Sequence, residues 1–273
     1  MARDVRPPAV AGSWYPASAG ALSRDVDAYI AAAAIEPIPP PKAIIVPHAG
    51  LRYSGPVAAF AYKALEQAPY RTAVLVGPSH FVPFEGVSIW PRGSWQTPLG
   101  MVRVDQPLSD RLRDASGVII EHEAAHGREH SLEMQMPFLA RLLPDVAIVP
   151  MVMGYQSRET AFDLGAAMAR VLASADRPLL VASSDLSHFH DAHTAARMDA
   201  VVLQRVEQVD AAGLMDDLEQ EPHHACGGGP MVAVLHAARQ LGATTARVLE
   251  YADSGDVTGD KRSVVGYMAA AIW

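Results

Sequence analysis

Three short apolar runs of this sequence each end in side chains that can bind metals or transfer protons. Ala-Ile-Ile-Val-Pro leads into His48, Val-Leu-Val-Gly-Pro-Ser leads into His80, and Leu-Leu-Val-Ala-Ser-Ser leads into Asp185 and His188. Ligands of open α/β sheets bind in the crevice beyond the carboxyl ends of the strands, so parallel strands would gather these groups at one edge. A single histidine of this kind is usually an ordinary hydrogen-bonded residue. Because the pattern occurs on three runs, we predict a metal or acid–base site.

The single cysteine, Cys226, strengthens this prediction. It precedes Gly227-Gly-Gly-Pro230 and a segment with helical periodicity. A helix N-terminus favours the thiolate, which is the form that binds a metal or attacks a substrate. A lone cysteine is more often a small buried apolar residue. A functional role is favoured here only because the sequence also carries the histidines at its strand ends.

A competing motif is His122-Glu-Ala-Ala-His126, which matches the H-E-x-x-H pattern of zinc peptidases. Gly127 follows it directly, and the flanking residues lack the periodicity of a long buried helix. His130 lies four residues beyond His126, whereas a third zinc ligand of the metzincin type lies six beyond. We therefore expect this segment to lead into the next helix, with His130, Glu133 and Tyr53 lining the cleft.

The alternation of short apolar runs with longer periodic segments predicts an α/β fold. The predicted strands are Ala43–Pro47, Ala73–Gly77, Val87–Trp90, Val118–Ile120, Val146–Met153, Leu179–Ser183, Arg247–Tyr251 and Val264–Ile272. The predicted helices are Leu22–Ala33, Pro56–Gln67, Leu108–Ala115, Leu132–Leu143, Thr160–Ala173, Ala192–Val206, Ala211–Leu218 and Pro230–Leu241, with Pro56 and Pro230 in first turns. We find no internal repeat, so we predict one domain over residues 1–273.

Composition excludes several classes of protein. The 273 residues carry 22 Lys+Arg against 30 Asp+Glu, a net charge of −8, with no basic cluster that would bind nucleic acid. Hydrophobic residues make up 50% and charged residues 19%, which excludes a disordered chain. One cysteine cannot form an internal disulfide, and the sequence shows neither a secretory leader nor an apolar stretch of membrane-spanning length. We expect a cytoplasmic protein without a membrane partner.

The sequence resembles the Memo proteins, also called protein B of the AmmeMemoRadiSam system. The matching blocks run almost from end to end: Ala11-Gly-Ser-Trp-Tyr15, Pro47-His-Ala-Gly50, Tyr53-Ser-Gly55, Gly77-Pro-Ser-His80, Glu129-His-Ser-Leu-Glu133 with Gln135 and Pro137-Phe138, Ser183-Ser-Asp-Leu-Ser-His188, and Cys226-Gly227. Together, their order and spacing are specific. The resemblance implies a single-domain α/β fold like that of class III extradiol dioxygenases, with a mixed, mostly parallel sheet flanked by helices.

The resemblance also implies roles for the site residues. His48, His80 and Cys226 match the metal-binding set of the family, and Asp185 and His188 match its catalytic cleft residues. The dioxygenases hold Fe(II) with two histidines and a carboxylate. A cysteine stands in place of that carboxylate here, and this difference argues against ring cleavage. Fe(II) is still the expected ion, with copper or zinc as alternatives that a thiolate also suits. Leu51 also departs from the aromatic residue that is common after His-Ala-Gly.

Two classes of function follow from the resemblance. The first is a non-haem iron or copper enzyme, redox-active and dioxygenase-like, acting on a small aromatic or peptide substrate. The second is a non-catalytic binding or scaffold protein that retains the cleft, since animal Memo proteins are associated with receptor signalling. A zinc hydrolase is a third alternative. Pairing of exposed strand edges in a homodimer is left open.

Overall fold

Apolar strands that lie side by side form the centre of the main sheet. The computed structural model describes residues 4–66 and 68–273. Its strands are β1 Val5–Arg6, β2 Ala43–Val46, β3 Thr72–Pro78, β4 Val87–Ile89, β5 Ser94–Thr97, β6 Gly100–Arg103, β7 Ile119–Ile120, β8 Ala147–Met153, β9 Pro178–Ser183, β10 His188–His190, β11 Ala246–Asp253 and β12 Val264–Ile272.

The helices occupy most of the segments between these strands. They are α1 Ala19–Ala32, α2 Leu51–Lys63, α3 Gln106–Ala115, α4 Glu123–Gly127, α5 Met136–Leu142, α6 Arg158–Leu172, α7 Ala192–Glu207, α8 Ala211–Gln220, α9 Gly228–Gln240 and α10 Gly255–Thr258. Single 3₁₀ turns cover Glu133–Gln135 and Pro222–His224. None of the described helices is both long and apolar enough to cross a bilayer.

Within the described residues, nine strands form the main sheet in the order β10-β12-β2-β9-β3-β8-β4-β7, and β11 pairs with β12. The neighbours β2, β9, β3 and β8 are parallel, whereas β12 runs antiparallel to β2 and β4 runs antiparallel to β8. The predicted α/β fold with a mixed sheet flanked by helices is confirmed. Parallel pairing is concentrated at the centre, and most of the outer pairs are antiparallel.

Both faces of the central strands are covered by helices, which explains why these strands are apolar at almost every position. Ile44 and Val46 point to the face packed by α1, α2 and α5, while Ala43 and Ile45 point to the face packed by α3 and α6–α9. The core thus lies in two layers, one on each side of the sheet. This burial fixes the strand register, and so it fixes which residues emerge at the strand ends.

One predicted helix start is wrong. Helix α2 begins at Leu51 instead of Pro56, so Pro56 lies in its second turn; the predicted end at Gln67 falls outside the described residues. The amide of Leu51 donates to the carbonyl of Trp14 at 2.8 Å, which satisfies a free donor at the helix start. That partner lies far away in sequence, so local signals could not reveal the extra turn.

Several short elements were not predicted. β1, β5 and β6 form a separate three-stranded sheet, and the polar runs of β5 and β6 lack the apolar character of the central strands. The predicted helix Leu132–Leu143 is divided into the turn Glu133–Gln135 and α5.

Candidate metal centre

The carboxyl ends of three neighbouring parallel strands carry the predicted site residues. His48, His80 and Asp185 each lie two residues beyond the end of their strand, in β2, β3 and β9 respectively. Strand β9 lies between β2 and β3, so the three side chains meet at one edge of the sheet. The rings of His48 and His80 pack edge to face with their centroids 5.2 Å apart.

Cys226 completes a compact group of metal-ligating atoms. One nitrogen each of His48 and His80 and the sulfur of Cys226 all lie within 4.8 Å of one another. The sulfur is 3.1 Å from Nε2 of His48 and accepts a hydrogen bond from the amide of Asp185 at 3.3 Å. Gly227 permits this approach, because a Cβ there would lie 2.5 Å from the carbonyl oxygen of Ser183.

The hydrogen bonds of Ser183 fix the tautomer of His48. The Ser183 hydroxyl donates its one proton to the carbonyl of Ser131 at 2.7 Å and accepts from the amide nitrogen of Gln135 at 2.9 Å. It can therefore only accept from Nδ1 of His48, which lies 2.9 Å away. Nδ1 carries the proton, and Nε2 presents its lone pair towards Cys226. Burial lowers the pKa of His48 to about 3, so the ring is neutral at pH 7.

Glu129 fixes the tautomer of His80 in the same way. Its carboxylate lies 2.9 Å from Nδ1 of His80 and accepts the backbone amide of His80 at 2.6 Å. Although burial raises the pKa of Glu129, hydrogen bonds from His80 and from the amide of Ser131 outweigh it and lower the pKa to about 2. The ionised carboxylate keeps a proton on Nδ1, so the lone pair of the ring is on Nε2. Such carboxylate–imidazole pairs orient metal ligands in many proteins.

Replacing Glu129 by glutamine should weaken metal binding about 10- to 100-fold, the usual effect of removing a group that orients a ligating histidine. The amide cannot accept as strongly from both His80 and the neighbouring backbone. Competition with a chromophoric chelator measures the affinity. The matched control is Glu123→Gln, which changes an exposed carboxylate of α4 and should leave the affinity unchanged. Equal affinity in Glu129→Gln and the wild type would show that His80 needs no orienting partner.

Burial opposes the thiolate form of Cys226. It raises the pKa of the thiol above its ordinary value, and the nearby carboxyl of Asp185 acts in the same direction. The expectation that the start of α9 favours the thiolate is therefore outweighed by burial. A bound cation reverses this balance, since a coordinating thiol loses its proton to the metal. A metal ion bound at this thiol would therefore have to displace its proton.

Asp185 and His188 lie beside this group. Oδ1 of Asp185 accepts the backbone amides of His48 at 2.7 Å and Ala49 at 3.2 Å, which holds the turn that carries His48. Burial raises the pKa of Asp185. Nδ1 of His188 donates to the carbonyl of Leu186 at 2.8 Å, because a carbonyl can only accept. Nε2 of His188 is therefore its basic nitrogen.

An open cleft of about 410 Å³ borders the group. Its walls include His80, Cys226, His188 and Phe189. A small molecule or the side chain of a peptide fits this volume. A basic imidazole and the ligand group thus share one solvent-accessible cavity.

His130 lies next to the group, although the residues that line the cleft do not include it. Its ring stacks on His80 with centroids 4.5 Å apart and contacts Trp14 at 4.2 Å. Burial and the nearby His48 lower the pKa of His130 to about 4. His80, Glu129 and His130 also bring ligating atoms within 4.8 Å of one another. However, Oε1 of Glu129 already accepts from His80 Nδ1 and from the amides of His130 and Ser131, so this trio is a hydrogen-bonded support for His80.

The structure places Glu133 away from the cleft. Its carboxylate is buried and binds the guanidinium of Arg6 at 2.7 Å, the hydroxyl of Tyr15 at 2.8 Å and the amides of Ala9 and Val10. It holds the N-terminal segment onto the protein instead of lining the cavity. Tyr53 lies in the first turn of α2 and is partly exposed; the residues that line the cleft do not include it.

The H-E-x-x-H segment does not form a metal site in the described part of the chain. Helix α4 is only five residues long, and His122 precedes it. Nε2 of His126 lies 3.0 Å from the hydroxyl of Ser88, and its ring makes edge-to-face contacts with Trp90 and Trp95. Neither group of ligating atoms found in the described residues contains His122 or His126.

Sequence reasoning missed the residues that orient the two imidazoles. Glu129 had a usable signal, since it is a carboxylate directly beside His130 in a block already singled out. Ser183 and Gln135 also stand in matching blocks, but no local pattern indicated their role, because that role arises only when β9 and the turn at Glu133–Gln135 meet behind His48.

The fold and this group define the class: an α/β protein with an imidazole–thiol group at the carboxyl ends of its central strands. The model of the Memo-like protein family matches residues 6–271. A MEMO1 family protein of Methanothermobacter thermautotrophicus is 38% identical over 272 residues, which cover 96% of this chain and 98% of the relative. One of Methanosarcina mazei is 38% identical over 271 residues, covering 98% and 99%. The chain belongs to the Memo-like family, as the resemblance predicted.

A solved structure supports the fold independently. The crystal structure of an uncharacterized protein of Escherichia coli K12 has a TM-score of 0.53 and 17% sequence identity, covering 83% of this chain and 98% of that one. At this identity the likeness concerns the fold alone. It supports the α/β architecture expected from the resemblance.

Proposed function

We propose that His48, His80 and Cys226 bind a first-row transition metal, Fe(II) in the first place with copper as the alternative, and that the protein is a non-haem redox enzyme. Its substrate would be a small aromatic molecule or a peptide. One observation carries the proposal: separate hydrogen-bond acceptors keep the proton of each imidazole on Nδ1, so its lone pair is on Nε2, and one nitrogen of each ring lies within 4.8 Å of the half-buried thiol.

The donor set fits such an ion. Imidazole nitrogen and thiolate sulfur suit iron, copper and zinc, whereas magnesium and calcium prefer oxygen ligands. Three protein ligands leave coordination positions open, as catalytic metal sites require. When bound, a redox-active ion would supply one-electron chemistry and a binding position for substrate or dioxygen.

The surrounding residues supply proton transfer and positioning. His188 offers Nε2 to the cleft as a general base, because its Nδ1 proton is held by the carbonyl of Leu186. Asp185 holds the backbone of His48 and Ala49, so it positions the first ligand. Because α2 begins at Leu51, directly after this turn, movement of His48 would also require movement of the helix.

The test combines metal content with turnover. Anaerobically purified protein should contain close to one iron or copper per chain by plasma mass spectrometry, and oxygen uptake should respond to some member of a panel of phenols, catechols and peptides. His188→Gln should lower turnover by about 10²- to 10⁴-fold, the usual contribution of a general base, with metal content unchanged. The control His193→Gln changes an exposed histidine of α7 and should have no effect.

Other outcomes would replace the proposal. Saturable peptide binding without oxygen uptake or other turnover across the panel would favour a binding or scaffold protein. A protein that retains only zinc and cleaves esters or peptides would be a hydrolase. Equal turnover in His188→Gln and the wild type would remove His188 from the mechanism.

A further inference from the structure

Phe189 combines two features that are unusual for a large apolar residue. Its side chain is 78% exposed, and no large apolar side chain among the described residues is more exposed. Its φ is +64°, in the left-handed region that glycine and asparagine favour and bulky residues rarely adopt. A phenylalanine in this position neither contributes to the core nor suits its backbone conformation.

The neighbouring residues hold Phe189 in this conformation. His188 pairs with Val265 and His190 pairs with Val264, so two steps along β10 correspond to one step along β12. Phe189 is therefore the extra residue of a β-bulge, a device that redirects a side chain away from the sheet. The ladder on both sides, together with the bond from His188 to Leu186, prevents the backbone from relaxing. Backbone strain maintained in this way often accompanies a binding function.

The redirected ring forms part of the wall of the cleft beside the metal-ligating group. Phe189 lines the cavity of about 410 Å³ together with His80, His188 and Cys226. Its centroid lies 5.6 Å from that of His188, at an interplanar angle of 68°. The ring packs against the proposed general base on one side and remains largely open to solvent. A flat apolar group entering the cleft would cover this exposed area.

We propose that Phe189 is a specificity-determining residue that binds a planar aromatic group of the substrate over the cleft. This inference rests on the proposed function and deepens it. Of the two proposed kinds of substrate, a small aromatic molecule or a peptide, it selects the aromatic molecule. Aromatic pairs gain free energy from ring geometry beyond the area they bury, and the exposed ring would be desolvated by its partner. Replacing Phe189 with glycine would relieve the backbone strain, so the stability of the protein should not fall. The same change removes the ring, so the binding of an aromatic group should weaken.

The test uses two probes that both chelate metals: 4-nitrocatechol has an aromatic ring, and acetohydroxamate has none. Wild-type and variant proteins are loaded with Fe(II) under argon, checked for metal content, and titrated calorimetrically with 4-nitrocatechol and with acetohydroxamate. Phe189→Gly should weaken 4-nitrocatechol about three- to tenfold and leave acetohydroxamate within about twofold, since aromatic pairing accounts for roughly that range. Its thermal midpoint should be equal to or higher than that of the wild type, because glycine accepts a positive φ. Tyr155→Ala, which removes an exposed ring outside this cleft, should change neither affinity.

Each contrary result has a separate meaning. A lower thermal midpoint with unchanged 4-nitrocatechol affinity would make Phe189 a structural residue and overturn the inference. An equal loss for both probes would assign the effect to the metal group instead of to the ring. If the wild-type protein retains no metal, the proposed function fails and the inference fails with it, which the metal analysis detects before any titration.

Discussion

Replacing Cys226 with serine should weaken metal binding at least about 100-fold. Loss of a group that merely orients a ligand costs about 10- to 100-fold, and loss of the ligand itself should cost no less. A serine hydroxyl holds its proton at neutral pH, so it cannot supply the anionic donor that the thiol provides once a metal has displaced its proton. Chelator competition on protein purified under argon measures the effect, and the thermal midpoint of the metal-free variant checks that the fold is retained.

Two further variants sharpen this prediction. Cys226→Asp offers a carboxylate in place of the thiolate, so it should recover part of the lost affinity for Fe(II), which accepts oxygen ligands. His224→Gln is the matched control, because this half-buried histidine lies two residues away and outside the group of ligating atoms. Wild-type affinity in Cys226→Ser would remove the sulfur from the site.

Replacing Glu133 with alanine should lower the free energy of unfolding by about 3–5 kcal/mol, the usual cost of breaking a buried ion pair from one side. Arg6 is 1% exposed, and its guanidinium would lose its only carboxylate partner within the described residues. The hydroxyl of Tyr15 and the amides of Ala9 and Val10 would lose their acceptor as well. Urea unfolding followed by circular dichroism measures the change.

The consequence extends to the proposed metal site. The segment that Glu133 holds also supplies Trp14, whose ring packs on His130. The comparison variant Asp27→Ala removes the partner of Arg141 at the protein surface and should leave the unfolding midpoint almost unchanged. A similar, small effect of both substitutions would show that burial of the Arg6–Glu133 pair does not govern its contribution to the free energy of unfolding.

The sequence allowed the central strands and their ends to be predicted because burial on both faces makes them apolar. Strand β12 was predicted with the observed bounds, and His48, His80 and Asp185 emerge at one edge because their strands are parallel neighbours. Cys226 lies 178 residues from His48, yet the fold brings its sulfur within 3.1 Å of that ring. The prediction of this group depended on residue types and on the resemblance.

Other features depend on partners that are distant in sequence. Glu133 was expected at the cleft because it lies close to His130 in sequence, whereas its carboxylate binds Arg6, which lies 127 residues earlier in the chain. The early start of α2 depends on the carbonyl of Trp14. The positive φ of Phe189 is imposed by pairing on both sides of a bulge. The residue type alone predicts a negative φ, because bulky side chains rarely adopt the left-handed region.

K-edge X-ray absorption of the metal-loaded wild-type protein tests the central claim most directly, because it identifies the atoms bound to the ion. Zinc serves as a redox-inert probe, and the same spectrum is then recorded on the Fe(II) form under argon. We predict one sulfur neighbour at about 2.3 Å and two imidazole nitrogens at about 2.0–2.1 Å in the zinc form, with the sulfur absent in Cys226→Ser. A shell of nitrogen and oxygen alone in the wild-type protein would contradict the assignment of His48, His80 and Cys226 as the ligands.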